Sequence, residues 1–287
     1  MEEPASAYGV KVTASPSYSQ YGVRAQVSEN TEDTIERYRA EGSRDIYKLL
    51  KTGELYSVTL MTNLIDTKPL RYGMELPSGA GTPEKSLNMV YSRYEDNGSS
   101  ALVEYYYFYL GARIDMSELE ITNGVVTLTQ NLLCSRILGR SDTHGLTTPT
   151  FMTPSTADPW TSITGGSGQL IFPGPVTVDT PRAKITVKQN LEVGKPNGET
   201  RPKWIYPTNR DITFEFDTWV KDDVQRAAVE NFTNYATLIY RLNSTGPKDV
   251  TMANIRFYKC ERSSRTNENK HLMEKLSGSP LSVTVTA

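Results

Sequence analysis

The chain has 287 residues, with 31 Lys and Arg against 33 Asp and Glu, for a formal net charge of −2. That balance argues against a protein held on nucleic acid by a global basic field. Two histidines (His144, His271) and two cysteines (Cys134, Cys260) are too few for a zinc cluster or a disulfide scaffold, and 37% hydrophobic content argues against a disordered chain.

Met1-Glu2-Glu3-Pro4 has no basic region leading into an apolar stretch, and no window approaches the roughly 18 apolar residues of a membrane span. The expectation is a protein made in a cytoplasm-like compartment, without a membrane partner, its two cysteines reduced and half-buried in strands. Seventeen tyrosines, seven phenylalanines and three tryptophans favour β structure.

Along the chain, a short helix is predicted around Thr34–Arg39. Ser57–Thr62 alternates as a strand after the turn-like Thr52-Gly53. Tyr105-Tyr106-Tyr107-Phe108-Tyr109 reads as a strand with large rings on both faces, suited to burial between sheets or at a subunit contact. Asn123-Gly124 supplies a tight hairpin turn and leads into the alternating strand Gly124–Thr129.

From Gly139 to Pro181 the chain is crowded with Gly, Pro, Ser and Thr, a composition that opposes helix and strand and reads as a long connection or extended arm. Beyond it, Ala183–Glu192 is a strand, and Asp211–Asp217 alternates with Ile212, Phe214 and Phe216 facing a core. A helix is predicted from Trp219 to Phe232, with an apolar stripe of Val220, Val224, Ala227, Ala228 and Phe232, a Thr218 cap and acidic Asp222 and Asp223 in its first turn. Pro280–Thr286 closes the chain as a strand with Leu281, Val283 and Val285 inward.

The halves look like repeats. Val27-Ser28-Glu29-Asn30-Thr31-Glu32 matches Val187-Lys188-Gln189-Asn190-Leu191-Glu192 at Val, Asn and Glu. Val125 and Leu281, opening the closing strands, are separated by nearly the same interval as Val27 and Val187. Charge divides as well: residues 1–160 carry a net −6 and residues 161–287 a net +4, which suggests head-to-tail complementarity between subunits.

No chemistry-bearing constellation is visible. Neither histidine neighbours a nucleophile signature, Gly165-Gly166-Ser167-Gly168 lacks the ending of a phosphate cradle, and no calcium loop occurs. No enzyme, cofactor or metal site is expected.

The order of elements in the second half resembles the tail tube proteins of long-tailed, siphovirus-like bacterial or archaeal viruses. It runs from strand Ala183–Glu192 through Arg201–Pro207, Arg210–Asp217, an amphipathic helix, Tyr235–Leu242 and Thr251–Tyr258 to the closing strand. In the first half, Tyr107–Leu132 is similar to the strand, turn and returning strand that close such modules; the weak helix signal at Thr67–Tyr72, interrupted by Pro69, is where that half departs.

The resemblance implies a mainly β chain of two β-sandwich or partial-barrel tube modules with a flanking helix. The first module spans 1–138 with an N-terminal arm, the connection or inter-ring arm 139–181, and the second module 182–287. It implies a virion tail protein assembled in the host cytoplasm. Its rings, homotrimers of two-module chains or else hexamers, would stack around a lumen that passes double-stranded DNA without sequence-specific binding. Tape-measure and tail-completion proteins are the implied partners. Candidate inter-subunit or inter-ring contacts are Tyr105, Tyr107, Tyr109, Trp160, Phe172 and Trp204. Two readings compete: another β-rich virion or injection-machine protein, such as a tail-completion ring or capsid protein, and a carbohydrate-binding β-sandwich using the tyrosine strand.

Overall fold

The computed structural model describes residues 21–39, 46–75, 86–96, 102–122, 125–141, 169–173, 176–219, 224–243, 248–264 and 272–286. Strands dominate, at 75% against 7% helix. In order they are β1 (Val23–Arg39), β2 (Ile46–Asn63), α1 (Lys68–Met74), β3 (Leu87–Asp96), β4 (Leu102–Thr122), β5 (Val125–Cys134) and β6 (Arg136–Ser141). There follow β7 (Gln169–Phe172), β8 (Val176–Asp179), β9 (Arg182–Lys188), β10 (Leu191–Gly194), β11 (Trp204–Pro207), β12 (Asp211–Trp219), α2 (Val224–Glu230), β13 (Asn234–Asn243), β14 (Lys248–Ser264), β15 (Leu272–Ser279) and β16 (Ser282–Val285).

Among the described residues a single fourteen-stranded antiparallel sheet carries the fold, eleven strands in the order β1-β2-β5-β4-β9-β12-β15-β14-β13-β7-β8 with β3 and β6 pairing β4 and β16 pairing β14 off that path; β10 and β11 form a separate ribbon. Period-two alternation explains it. On β12, Ile212, Phe214, Phe216 and Thr218 are buried while Thr213 is exposed. The same alternation on β5 and β9 sends Val126, Leu128, Leu132, Ala183, Ile185 and Val187 inward. In that core Phe214 and Phe257 meet edge to face, their centroids 5.4 Å apart.

Two long strands, β4 and β14, bend and serve two layers. The first part of β4 pairs with β3 and β6, and its last part with β5 and β9. β14 repeats this, pairing with β13 and β16 first and then with β15. The bend is made at Gly111 in β4 and at Asn254 in β14, with φ of 60° and 53°. Beyond the bends, Asp115 and Tyr258 are skipped by the ladders to β5 and β15. Asp115 follows Gly111 at the same distance along the chain as Tyr258 follows Asn254.

The correspondence extends further. β2 pairs with β1 and β5; β12 pairs with β9 and β15. The buried Thr62 and Thr218 are separated by the same interval as Lys68 and Val224, which open α1 and α2. Glu29 lies opposite Val58 as Ile185 lies opposite Phe214, again at that interval. The match of Val27 with Val187 therefore falls in corresponding strands but out of register; the residue in the place of Val187 is Thr31. The strand corresponding to β5 is β15, and β16 corresponds to β6, so Val125 and Leu281 are not equivalent.

Several local expectations change. Thr34–Arg39 continues β1: its ladder to β2 runs through Thr34–Gly53 to Arg39–Ile46, and β-branched Thr31, Thr34 and Ile35 suit a strand. Of the helix expected from Trp219 to Phe232, the described residues show Val224–Glu230. Trp219 and the buried Thr218 complete β12, and Phe232 is exposed with φ 50°. Val220, Asp222 and Asp223 lie outside the described residues. The first half has a helix as well, because Pro69 falls in the first turn, where no intrahelical N–H is required. Leu281 is exposed, preceding β16 at a turn where its N–H bonds Ala253 O. Strands β6, β7 and β8 occupy both ends of the 139–181 stretch, where hairpin pairing outweighs a turn-rich composition. His144, His271, Trp160, Asn123-Gly124 and Gly165–Gly168 lie outside the described residues; Thr122 and Val125, flanking the expected turn, are paired across β4 and β5.

Candidate assembly surface

The face of the main sheet turned away from the core carries charge in ordered rows. One row, along the hydrogen-bonding direction, reads Glu120, Lys184, Glu215, Ser277, Lys259 across β4, β9, β12, β15 and β14. The next reads Thr122, Arg182, Asp217, Lys275, Glu261. Ion pairs tie the rows: Glu118–Lys184 at 2.8 Å, Glu120–Arg182 at 3.0 Å, Glu215–Lys275 at 2.9 Å and Lys259–Glu261 at 2.7 Å. Alternating signs across neighbouring strands favour this register over slipped ones. The alternation of charge with core residues in each strand was its signal in the sequence, but pairing decides which charges meet.

At the centre of the sheet, β4 joins β9 from Met116–Lys188 to Thr122–Arg182. This joint is where the two halves of the chain meet. On its core side the opposed pairs Leu119–Ile185 and Ile121–Ala183 are buried. α1 lies across it. A Cβ on Gly73 would sit 1.8 Å from Ser117 Oγ, so only glycine allows the helix this close. The buried Gln130 side chain donates to Pro69 O at 3.1 Å and to Ser117 Oγ at 2.9 Å, and accepts from Tyr21 Oη at 2.6 Å. Asp115 closes the end of the joint, accepting from Gln189 N through its carbonyl and from Leu191 N through its carboxylate. Past α1, Glu75 Oε1 accepts from Val285 N at 2.6 Å, tying the last strand to the first helix.

A second tie involves Glu54 in β2. Its carboxylate holds Lys51 at 2.7 Å and Arg201 at 3.1 Å and accepts from Tyr56 Oη at 2.5 Å, while its N–H bonds Thr200 O. The Lys51 ammonium, aided by Tyr56 and Arg201, lowers its pKa to about 2. The segment leading to β11 is thereby fastened to the first half.

Of the candidate contact residues, Tyr107 and Tyr109 pack inside the chain's own core, and Tyr105 lies half-buried against it. Tyr107 Oη donates to Glu95 and accepts from Arg93, and Tyr109 Oη donates to Glu29. Burial raises the pKa of both phenols. Their rings are not displayed as a platform. Phe172 is buried against Tyr235 and Phe257, in a different core cluster from the three tyrosines. Trp204 at the start of β11 is 44% exposed, and its indole covers Gly194. Trp160 lies outside the described residues.

Among the described residues, unpaired edges include β1 on the side away from β2 and the second part of β14 on the side away from β15, besides the free sides of β3, β6, β8 and β16. Such edges invite another strand. The edges of β1 and of the second part of β14 stand in the places that β9 and β4 take at the internal joint, which suits a unit that joins to copies of itself. The family model for phage tail tube proteins matches residues 4–287. The chain belongs to the phage tail tube protein family. It is a structural protein of the virion tail that assembles with itself into a tube. A comparison with curated proteins finds no match. Among the described residues of this tail tube protein, no cluster of His, Cys, Asp or Glu is placed to hold a metal ion, and no helix is long and apolar enough to cross a membrane. Cys134 and Cys260 are free thiols in β5 and β14.

Proposed function

We propose that this chain holds two tube modules, residues 1–138 and 182–287, joined by the 139–181 connection. Three copies close into a ring of six modules, and rings stack into a tube whose lumen conducts the DNA genome from capsid to host. The observation that carries this reading is the recurrence of one pairing scheme in both halves, with bends at Gly111 and Asn254. A chain with two similar modules needs half as many copies per ring as one with a single module.

The charged outer face of the sheet, with Glu118, Glu120, Glu215 and Asp217 interleaved with Arg182, Lys184 and Lys275, is assigned to the lumen. Its charges largely cancel along each row. A passing polyanion meets no basic track that would hold it, so DNA moves through without sequence-specific binding. The exposed Trp204 and the 139–181 segment are assigned to contacts between rings, with tape-measure and tail-completion proteins at the tube ends. Catalysis plays no part in this role.

Electron microscopy of the purified chain tests the reading. The expected outcome is stacked tubes with threefold or pseudo-sixfold end views. A monomer at high concentration that forms no polymer at any salt concentration would overturn it.

A further inference from the structure

The internal joint between β4 and β9 specifies how one copy meets the next. The unpaired part of β14 corresponds to the part of β4 that pairs with β9, displaced by the interval that separates Gly111 from Asn254. Likewise β1 corresponds to β9, since Glu29 and Ile185 face the equivalent residues Val58 and Phe214.

We propose that the second part of β14 pairs antiparallel with β1 of another copy, in the register Lys259–Glu32, Cys260–Thr31, Glu261–Asn30 and Arg262–Glu29, as the joint between subunits. This rests on the tube reading above and names its interface.

Backbone correspondence alone sets this register, and the charges agree with it. Lys259, the exposed end of the row Glu120, Lys184, Glu215, Ser277, Lys259, meets Glu32, so the alternation continues into the next copy. Arg262 meets Glu29. A slip by one position weakens the match: in one direction Glu261 falls opposite Glu29 and both pairs are lost, and in the other Arg262 falls opposite Asn30 and only Lys259, now against Asp33, keeps an opposite charge.

The joint between copies differs in kind from the one inside the chain. Leu119 and Ile185, an opposed pair buried at 1% and 0% exposure, are replaced by Arg262 and Glu29. Glu29 already accepts from Tyr109 Oη at 2.5 Å, and Arg262 lies 3.6 Å from the buried Glu274, whose second oxygen has no hydrogen-bond partner among the described residues. The internal joint is permanent and can be oily. The external one must stay soluble until the next copy arrives, and charged edges protect against indiscriminate pairing. It follows that association of copies is weakened by salt. The net charges of −6 and +4 in the two halves agree with an acidic edge on β1 meeting a basic residue pair on β14. By the same correspondence Asn231, which stands where Glu75 stands, faces β6 of the next copy, as Glu75 faces β16 within the chain.

Paired cysteines on the exposed face test the register. Glu32→Cys with Lys259→Cys puts two thiols directly opposite, at the Cα spacing of an antiparallel pair, which a disulfide can span. Glu32→Cys with Glu261→Cys keeps the same face but moves one thiol two positions away. After oxidation of assembled tubes with copper phenanthroline, non-reducing electrophoresis of the first variant is expected to show covalent multimers that stop at the ring's copy number, and the second far less. Tubes that form but cross-link no better in the first variant than in the second overturn the register. Absence of tubes from the unmodified chain overturns the underlying tube reading instead. As a second arm, Lys259→Glu and Glu32→Lys, whose contacts inside the chain are exposed, are each expected to weaken polymerisation, and the double variant to restore it. Singles that polymerise as well as the unmodified chain also overturn the proposal.

Discussion

Asn254 does in β14 what Gly111 does in β4: each holds a left-handed backbone at the bend that lets one strand serve two layers. Glycine takes this conformation freely, and asparagine is one of the few other residues that tolerates it. Asn254→Gly is therefore expected to leave stability unchanged or slightly raised. Asn254→Val and Gly111→Val are expected to cost about 1–3 kcal/mol each, because a β-branched residue is strained there. Chemical denaturation of the unassembled chain measures both.

Glu54 gives a pH signature. Its folded pKa of about 2 lies below the ordinary carboxylate value of 4.5, so its contribution is full above about 4.5 and is lost as pH falls toward 2. Glu54→Gln is expected to lower stability by about 1–2 kcal/mol at neutral pH and to flatten the acid limb of the stability curve over that window. Melting temperature followed from neutral pH downward checks it. A variant with an unchanged acid limb would remove Glu54 from the account.

Gln130 is a polar residue in a core position, and its counterpart in β15 is Leu276. Gln130→Leu fits the volume but leaves Pro69 O without its donor and Tyr21 Oη without its acceptor. The expected cost is about 1–3 kcal/mol. Tyr21→Phe in the Gln130→Leu background should restore part of it, which a double-mutant cycle by denaturation reads directly.

Lys184 sits opposite Glu120 and Glu215 and 2.8 Å from Glu118. Lys184→Glu gathers four carboxylates there. The expected loss is about 1 kcal/mol or more at low ionic strength, recovered in part by added salt, because surface charge interactions are screened. Denaturation midpoints at two salt concentrations distinguish this from lost packing, which salt would not restore.

The alternating core strands were legible in the residues themselves. Ile212, Phe214 and Phe216 face inward because no other arrangement buries them, and Val283 and Val285 behave likewise. The family was legible for a related reason: the order of strands and helix reflects short-range pattern. What escaped was set by pairing between distant residues. Thr34–Arg39 read as a helix because its hydrogen-bond partners, in β2, follow only after the turn. The sequence match between the halves was out of register with their strand pairing, since Val27 and Val187 share a side chain whereas Glu29 and Ile185 share a place. The tyrosine strand read as buried between sheets or at a subunit contact, and Tyr107 and Tyr109 are buried inside the chain, with β3 and β6 paired on either side of β4. The charge rows could not be assembled from single strands, because each row takes one residue from each of five.

The joint of β4 with β9 also sets a clock on synthesis. When Thr122 leaves the ribosome, its partner strand is incomplete until Lys188 follows. At about 5–20 residues per second the wait is on the order of seconds, during which an edge bearing Leu119 and Ile121 has no neighbour of its own. If β9 of another nascent chain arrives first, the two chains exchange halves, and the exchange can repeat from chain to chain as an open string. Crowding of many copies on one messenger would then work against tube assembly, and slow passage through codons 123–188 would yield more entangled chains and fewer competent subunits.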